Sequence, residues 1–382
     1  MGQGLRQTGR FFSYITTETE FIGALTQLAH SPELALDLEF DDNRYTYGLN
    51  LCLVQIATRE ACFLIDPFTI KNLEPLWELI ENPAIIKIIH SSTNDILLLK
   101  KLGCKPKGVF DTEIAARLLN FLRTSYANIL QVIFNIEVDK TNQVSNWNTR
   151  PLSEDQLAYA ATDVLHLHEL KDVLWQDLLN LGRTEWLVEE CRLLEDLEIK
   201  EQSDRHLKLK GSERLTYFQQ HLLKQLFRFR NQLAQQYNRP PAMVIANETL
   251  VALALQPASD FKSWQFTKGL MGQLKDNHTF REYQHVLNTA GQEAEDLQLT
   301  HQRPFRTRRP ELLISSDEAA ERRQKIQAVQ ARIAQEIGEN VVNIILPAGM
   351  INEYADGKSL EFKKEYARQV VAQTAAALHI SL

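Results

Sequence analysis

The chain has 382 residues, 44% apolar and 24% charged, which is more than one core normally serves and predicts two or three domains. No run of 18 apolar residues occurs and the N-terminus lacks the apolar core of a signal peptide, so no membrane association and a cytoplasmic location are expected. Charge is uneven within a net −7: residues 1–200 hold 18 Lys+Arg against 29 Asp+Glu, residues 201–382 hold 24 against 20. Four widely spaced cysteines without a Cys-x-x-Cys exclude a zinc ribbon or a disulfide framework and read as small core residues.

Thr17 to Ala29 has helical spacing at Phe21, Leu25 and Leu28, with Thr17 or Thr19 as cap. Leu34 to Phe40 then reads as a strand, in which Asp37 and Glu39 share one face and Leu36, Leu38 and Phe40 the other. Two like charges on a mostly buried sheet are costly unless a hard divalent cation sits between them. A half-exposed edge strand with two solvated acids is the alternative. Asp41-Asp42-Asn43 reads as a polar turn, Leu49 to Ala57 and Cys62 to Ile65 as further strands, completing a three-strand meander. Next come a helix over Asn72 to Glu81, a strand over Ile85 to Ile89 and a helix over Asn94 to Leu102. Strands followed by alternating helix and strand predict a mixed sheet flanked by helices.

His90 to Asn94 supplies capping residues, and Asp95 falls in the first helical turn at a strand's carboxyl end, where α/β sheets build sites. Complementing the helix dipole is its other available role. Asp111-Thr112 opens another helix, there as a cap. Finally Pro151-Leu152-Ser153-Glu154 starts a helix carrying Tyr159 and Asp163, one turn apart on a face otherwise made of Leu157, Val164 and Leu167. Small Ala160 and Ala161 let this helix lie close to its neighbour.

Asp37-x-Glu39, Asp95 after its strand, and Tyr159-x-x-x-Asp163 resemble the three motifs of the DEDD exonuclease superfamily, tyrosine-bearing branch, in order over residues 20–180. Lys140-x-x-Gln143-x-Ser145-Asn146-Trp147-x-x-Arg150-Pro151-Leu152 is similar to the segment before the last motif in the ribonuclease D family, with Asn146 where Asp is usual. The resemblance implies an α/β ribonuclease H-like domain. It also implies a metal-dependent 3′–5′ exonuclease in which Asp37, Glu39, Asp95 and Asp163 hold two divalent cations, Mg²⁺ or Mn²⁺. Tyr159 would position the attacking water, since a phenol stays protonated at neutral pH. Gln143, Trp147 and Arg150 are expected substrate contacts.

In the back half, Phe218 to Tyr237 is a strong amphipathic helix broken by Arg239-Pro240-Pro241 and followed by Asn247-x-x-Leu250. This resembles the HRDC helical module of RecQ-type helicases and ribonuclease D, and a diverged copy lies one hundred residues later. Gln232-Leu-Ala-Gln aligns with Arg332-Ile-Ala-Gln, and Val244-Ile245 with Ile344-Ile345. The expected division is an exonuclease domain over 1–200, all-α HRDC-like domains over 211–291 and 316–382, and a linker over 292–315 with Arg303, Arg306, Arg308 and Arg309. Lys224, Arg228 and Arg230 are candidate phosphate contacts.

The partner this arrangement implies is RNA with a single-stranded 3′ end, chiefly transfer RNA precursors. A DNA exonuclease of the RecQ-associated type and a non-catalytic binding scaffold are the alternatives. The first is disfavoured by the lack of a Gly-x-x-x-x-Gly-Lys loop, which also argues against a nucleotide cofactor, and the second by the presence of all four acids.

Overall fold

A computed structural model describes residues 12–138, 145–199, 204–304 and 314–382. The front half supplies six strands: β1 (Phe12–Ile15), β2 (Glu33–Asp42), β3 (Leu49–Ala57), β4 (Cys62–Ile65), β5 (Ile86–Ile89) and β6 (Val109–Asp111). They form one mixed sheet in the order β1-β4-β3-β2-β5-β6. β2, β3 and β4 are the expected antiparallel meander, while β1 adds parallel to β4, and β5 and β6 add parallel beyond β2. Short β1 and β6 carry too few residues to show a period and were not anticipated from sequence.

Alternation along the central strands sends Leu36, Leu38, Val54 and Ile56 to one core and Ala35, Leu53 and Ala57 to the other. Both faces are covered, which is why these strands read as nearly continuous apolar runs. The covering helices are α1 (Glu18–Leu28), α2 (Glu74–Glu81), α3 (Thr93–Lys101), α4 (Thr112–Leu118), α5 (Tyr126–Phe134), α6 (Glu154–Leu165), α7 (Leu167–Asn180) and α8 (Thr184–Glu195). Capping boxes start α1 at Thr17 and α6 at Ser153, and the Asp111 carboxylate accepts from two backbone N–H groups at the start of α4.

Two local expectations need correction. Asp41 and Asp42 continue β2, and the turn is residues 43–48. Buried Asp41 organises that hairpin by accepting from the N–H groups of Arg44, Tyr45 and Thr46 and from the Thr46 hydroxyl. Ser92 precedes α3 without capping it, and its hydroxyl instead donates to Asp111 at 2.7 Å.

The back half forms two helical units. In the first, α9 (Tyr217–Gln236), α10 (Pro241–Val244), α11 (Asn247–Leu255), α12 (Phe261–Gln265) and α13 (Asn277–Asp296) surround buried Trp264 and Tyr283, stacked with centroids 4.5 Å apart. Helix α13 continues past Gly291, where a polar linker was expected, to Asp296. The second unit comprises α14 (Ser316–Ile337), α15 (Glu339–Ile345), α16 (Ala348–Ala355) and α17 (Glu365–Ala377).

These units meet the front half differently. The first touches the β2–β3 hairpin, where Asn231 donates to the Tyr47 hydroxyl at 2.7 Å and the Tyr47 N–H donates to Asn238. The second shares one continuous apolar core with α4, α6, α7 and α8. Trp186 stacks on Tyr366 at 4.8 Å, and Asn340 bonds the Asn120 side chain and the Phe121 carbonyl. Gly338 closes this joint: its φ is +121°, and an added Cβ would lie 2.2 Å from the Asn120 side chain. All four cysteines are buried and outside any disulfide. Among the described residues, no helix is long and apolar enough to cross a membrane.

Candidate active site

Three elements bring the acids together. Strand β2 presents Asp37 and Glu39 on the face toward α6, α3 presents Asp95 in its first turn, and α6 crosses β2, β3 and β4 carrying Tyr159 and Asp163. Ala160 and Ala161, at most 1% exposed, permit the close crossing. Carboxylate oxygens of Asp37, Glu39 and Asp163 lie within 4.8 Å of one another. All four acids and Tyr159 line one cleft of about 480 Å³, together with His90, Asn94, Glu113, Thr124 and Tyr126.

Among the described residues, no cationic group neutralises these acids. Burial pushes Asp37 up to about 7, and burial plus the charges of Asp37, Asp163 and Asp95 pushes Glu39 up to about 10. Burial and the Asp37 charge also raise Asp95 and Asp163 well above the usual carboxylate range. Four partly or fully buried carboxylates cannot all ionise side by side unless a cation joins them, so the set fits divalent cations held through oxygen. Tyr159 is raised by burial and by Asp163, to which it is hydrogen-bonded, and it therefore stays a neutral phenol.

The expected substrate contacts fare otherwise. Arg150 spends every guanidinium donor inside the fold: Nε and Nη2 on Asp66 at 2.6 and 2.9 Å, Nη1 on the Trp147 and Thr149 carbonyls, and Nη2 again on the Cys52 carbonyl. It pins the loop before α6 to β3 and β4 and has no donor left for a phosphate. Trp147 is 3% exposed with its ring 6.2 Å from Tyr159, so it supports the tyrosine from behind rather than facing a ligand. Asn146 serves this loop as an acceptor for the Asn148 N–H, a task for which the usual Asp is not required. Asn148 in turn donates to Asp41, tying the loop to the hairpin. Gln143 lies outside the described residues, as do Arg306, Arg308 and Arg309.

Arg230 is likewise internal, 4% exposed, bonding the Ile245 carbonyl and Asn247, and burial lowers it to about 10. Exposed Arg228 and half-buried Lys224 remain on the surface of α9 beside His206.

Reading the sequence missed Tyr126 and His90. The Tyr126 hydroxyl donates to the Thr162 carbonyl on α6, and its ring lies 5.4 Å from His90, whose Nδ1 sits 2.9 Å from the Thr112 hydroxyl. Helix α5 itself was not predicted, although Ser125 followed by an apolar run would have signalled its start.

A 3′–5′ exonuclease family profile matches residues 12–179 and an HRDC profile matches residues 219–260. A ribonuclease D from Shewanella sp. strain ANA-3 is 34% identical over 262 residues, covering 67% of this chain and 67% of that protein. The chain belongs to the ribonuclease D family. It is accordingly a 3′–5′ exoribonuclease, and the acids that the geometry gathers lie on the matched exonuclease segment. The architecture extends beyond the segment related in sequence. Escherichia coli RNase D aligns over 96% of this chain and 99% of its own with a TM-score of 0.69 at 19% identity. A Bifidobacterium adolescentis protein aligns over 96% of each chain with a TM-score of 0.73 at 20% identity. Both likenesses concern fold, and they extend through the second helical unit.

Proposed function

We propose that the chain shortens RNA from the 3′ end by two-metal hydrolysis, releasing nucleoside 5′-monophosphates, with transfer RNA precursors and other small structured RNAs as substrates. The observation that carries this reading is the convergence of four partly or fully buried carboxylates, uncompensated among the described residues, with a neutral tyrosine in one cleft. Bound there, two Mg²⁺ or Mn²⁺ ions would supply charge neutralisation and an activated water. Asp37, Glu39, Asp95 and Asp163 would hold them. The Tyr159 hydroxyl, kept protonated beside Asp163, orients the water for in-line attack and does not serve as its base. The new bond joins water oxygen to phosphorus as that water gives up one proton, the bond to the 3′ oxygen of the preceding ribose breaks, and that oxygen takes a proton.

Lys224 and Arg228 extend the substrate path onto the first helical unit, where they would contact phosphates of the RNA body. The test is a time course on a 5′-labelled, 3′-extended hairpin RNA and its DNA counterpart, with Mg²⁺, with Mn²⁺ and with chelator. A metal-dependent ladder receding from the RNA 3′ end is expected. Equal rates on DNA would overturn the ribonuclease assignment, and no cleavage with any metal would leave a binding scaffold.

A further inference from the structure

Gln55 is the one long polar side chain of β3, in the run Leu-Cys-Leu-Val-Gln-Ile-Ala, and it is completely buried. Neither its Oε1 nor its Nε2 finds a hydrogen-bond partner among the described residues. Leaving an amide's donor and acceptor unsatisfied costs about 1–3 kcal/mol per group, a cost that a leucine or methionine at the same place would avoid. Its neighbours on the same face of β3, Leu53 and Ala57, are apolar core residues. A core requirement therefore does not explain the amide.

The sheet register shows what does. Gln55 is the antiparallel partner of Asp37 in β2, with Leu64 of β4 on its other side. Directly paired residues hold their Cβ atoms about 5 Å apart on the same face, within reach of a glutamine amide, directly or through one trapped water. Asp37 lines the cleft partly buried, and the backbone N–H of Leu38 bonds its carboxylate. A carboxylate that binds a cation through one oxygen is normally held by a donor on the other, and such support sets affinity by about 10–100-fold.

We infer that Gln55 is a positioning residue whose side-chain amide holds the Asp37 carboxylate in the orientation that binds divalent metal. The inference rests on the metal reading of the site given above. Gln55 touches no substrate and acts through Asp37, its direct partner across the β2–β3 ladder.

Mn²⁺ binding to the full-length, metal-stripped protein tests this, by electron paramagnetic resonance or calorimetry, on wild type and Gln55→Met, alongside metal-free thermal melting. Methionine fills the same volume without an amide. The expected result is Mn²⁺ affinity weakened about 10-fold or more with melting unchanged or raised, and cleavage recovering as Mn²⁺ is increased. Unchanged affinity with raised melting would overturn the inference and leave Gln55 a poorly satisfied core residue. Absence of Mn²⁺ binding in wild type would overturn the metal reading itself, and this inference with it. Gln55→Leu serves if the methionine variant fails to fold. A crystal structure of wild type with Mg²⁺ decides independently of any variant: the amide nitrogen must lie within one hydrogen bond, or one bridging water, of the Asp37 carboxylate, and an amide turned away from it refutes the assignment.

Discussion

Two groups of buried charge sit in the same domain and are built on opposite terms. Around Arg150, five donors meet five acceptors, and the Asp66 carboxylate is additionally bonded by the Tyr14 hydroxyl at 2.5 Å and the Phe68 N–H. Around Asp37, four acids line one cleft with no cationic side chain among the described residues to neutralise them. A saturated network has nothing left to offer a ligand and fixes a loop. An unsaturated one is held in place by the rest of the fold and is completed from outside. The difference separates structural charge from functional charge better than residue type does, since Arg150 reads in sequence as a substrate contact.

The sharpest way to break this comparison is to remove one acid. Asp37→Ala or Asp163→Ala should lower cleavage by about 10³-fold or more, while metal-free melting stays level or rises because like-charge repulsion is relieved. Loss of folding in these variants would mean that the acids, too, are structural. Arg150→Ala should do the reverse, leaving Asp66 buried without its cationic partner at a cost of about 3–5 kcal/mol in urea unfolding. A stable Arg150→Ala protein with weakened RNA binding would restore the sequence-based role.

Tyr159→Phe should reduce kcat by about 10–10²-fold with little change in KM, and a pure KM effect would make the tyrosine a substrate contact. The pH dependence of metal-free melting separates the two groups by sign. Acids raised in the fold, such as Asp37 near 7, bind more protons folded than unfolded. Their contribution falls as pH climbs from about 4 through 7 and above, and added Mg²⁺ should restore more melting temperature at pH 8 than at pH 5. Asp66 is held below the usual range, since its hydrogen bonds from Arg150 and Tyr14 outweigh its burial. Its stabilisation is present above its unfolded value and is lost as pH falls through the depressed one. The smallest expected effect belongs to Lys224→Ala combined with Arg228→Ala. Binding of folded RNA should weaken a few-fold, and the salt slope should drop by about 1 for each phosphate no longer neutralised.

The acid cluster was legible in the sequence because its logic is local: period two in β2, one helical turn in α6, the first turn of α3. Arg150 was misread because what saturates it, Asp66, lies 84 residues away on another element. Arg230 was legible in principle. It follows Leu226 by four and precedes Leu233 and Ala234, all buried, and so falls on the apolar stripe of α9 rather than with Arg228. Gln55 is a polar letter in an apolar strand, and nothing short of strand register could have placed it opposite Asp37.

The joint sealed by Gly338 bears on how the protein can be cut. Ile326, Val329, Ile333, Val341 and Ile345 of the second helical unit belong to the same apolar cluster as Ala115, Leu118 and Leu187 of the exonuclease domain. A fragment ending before α14 would carry that surface bare into solvent, a sticky face of the kind that drives aggregation and engages chaperones. The exonuclease domain of this chain is therefore no portable cassette. Expression trials that trim from the C-terminus should lose soluble yield at the second unit, while the first unit, fastened through the tyrosine of one hairpin, is the part that tolerates being exchanged.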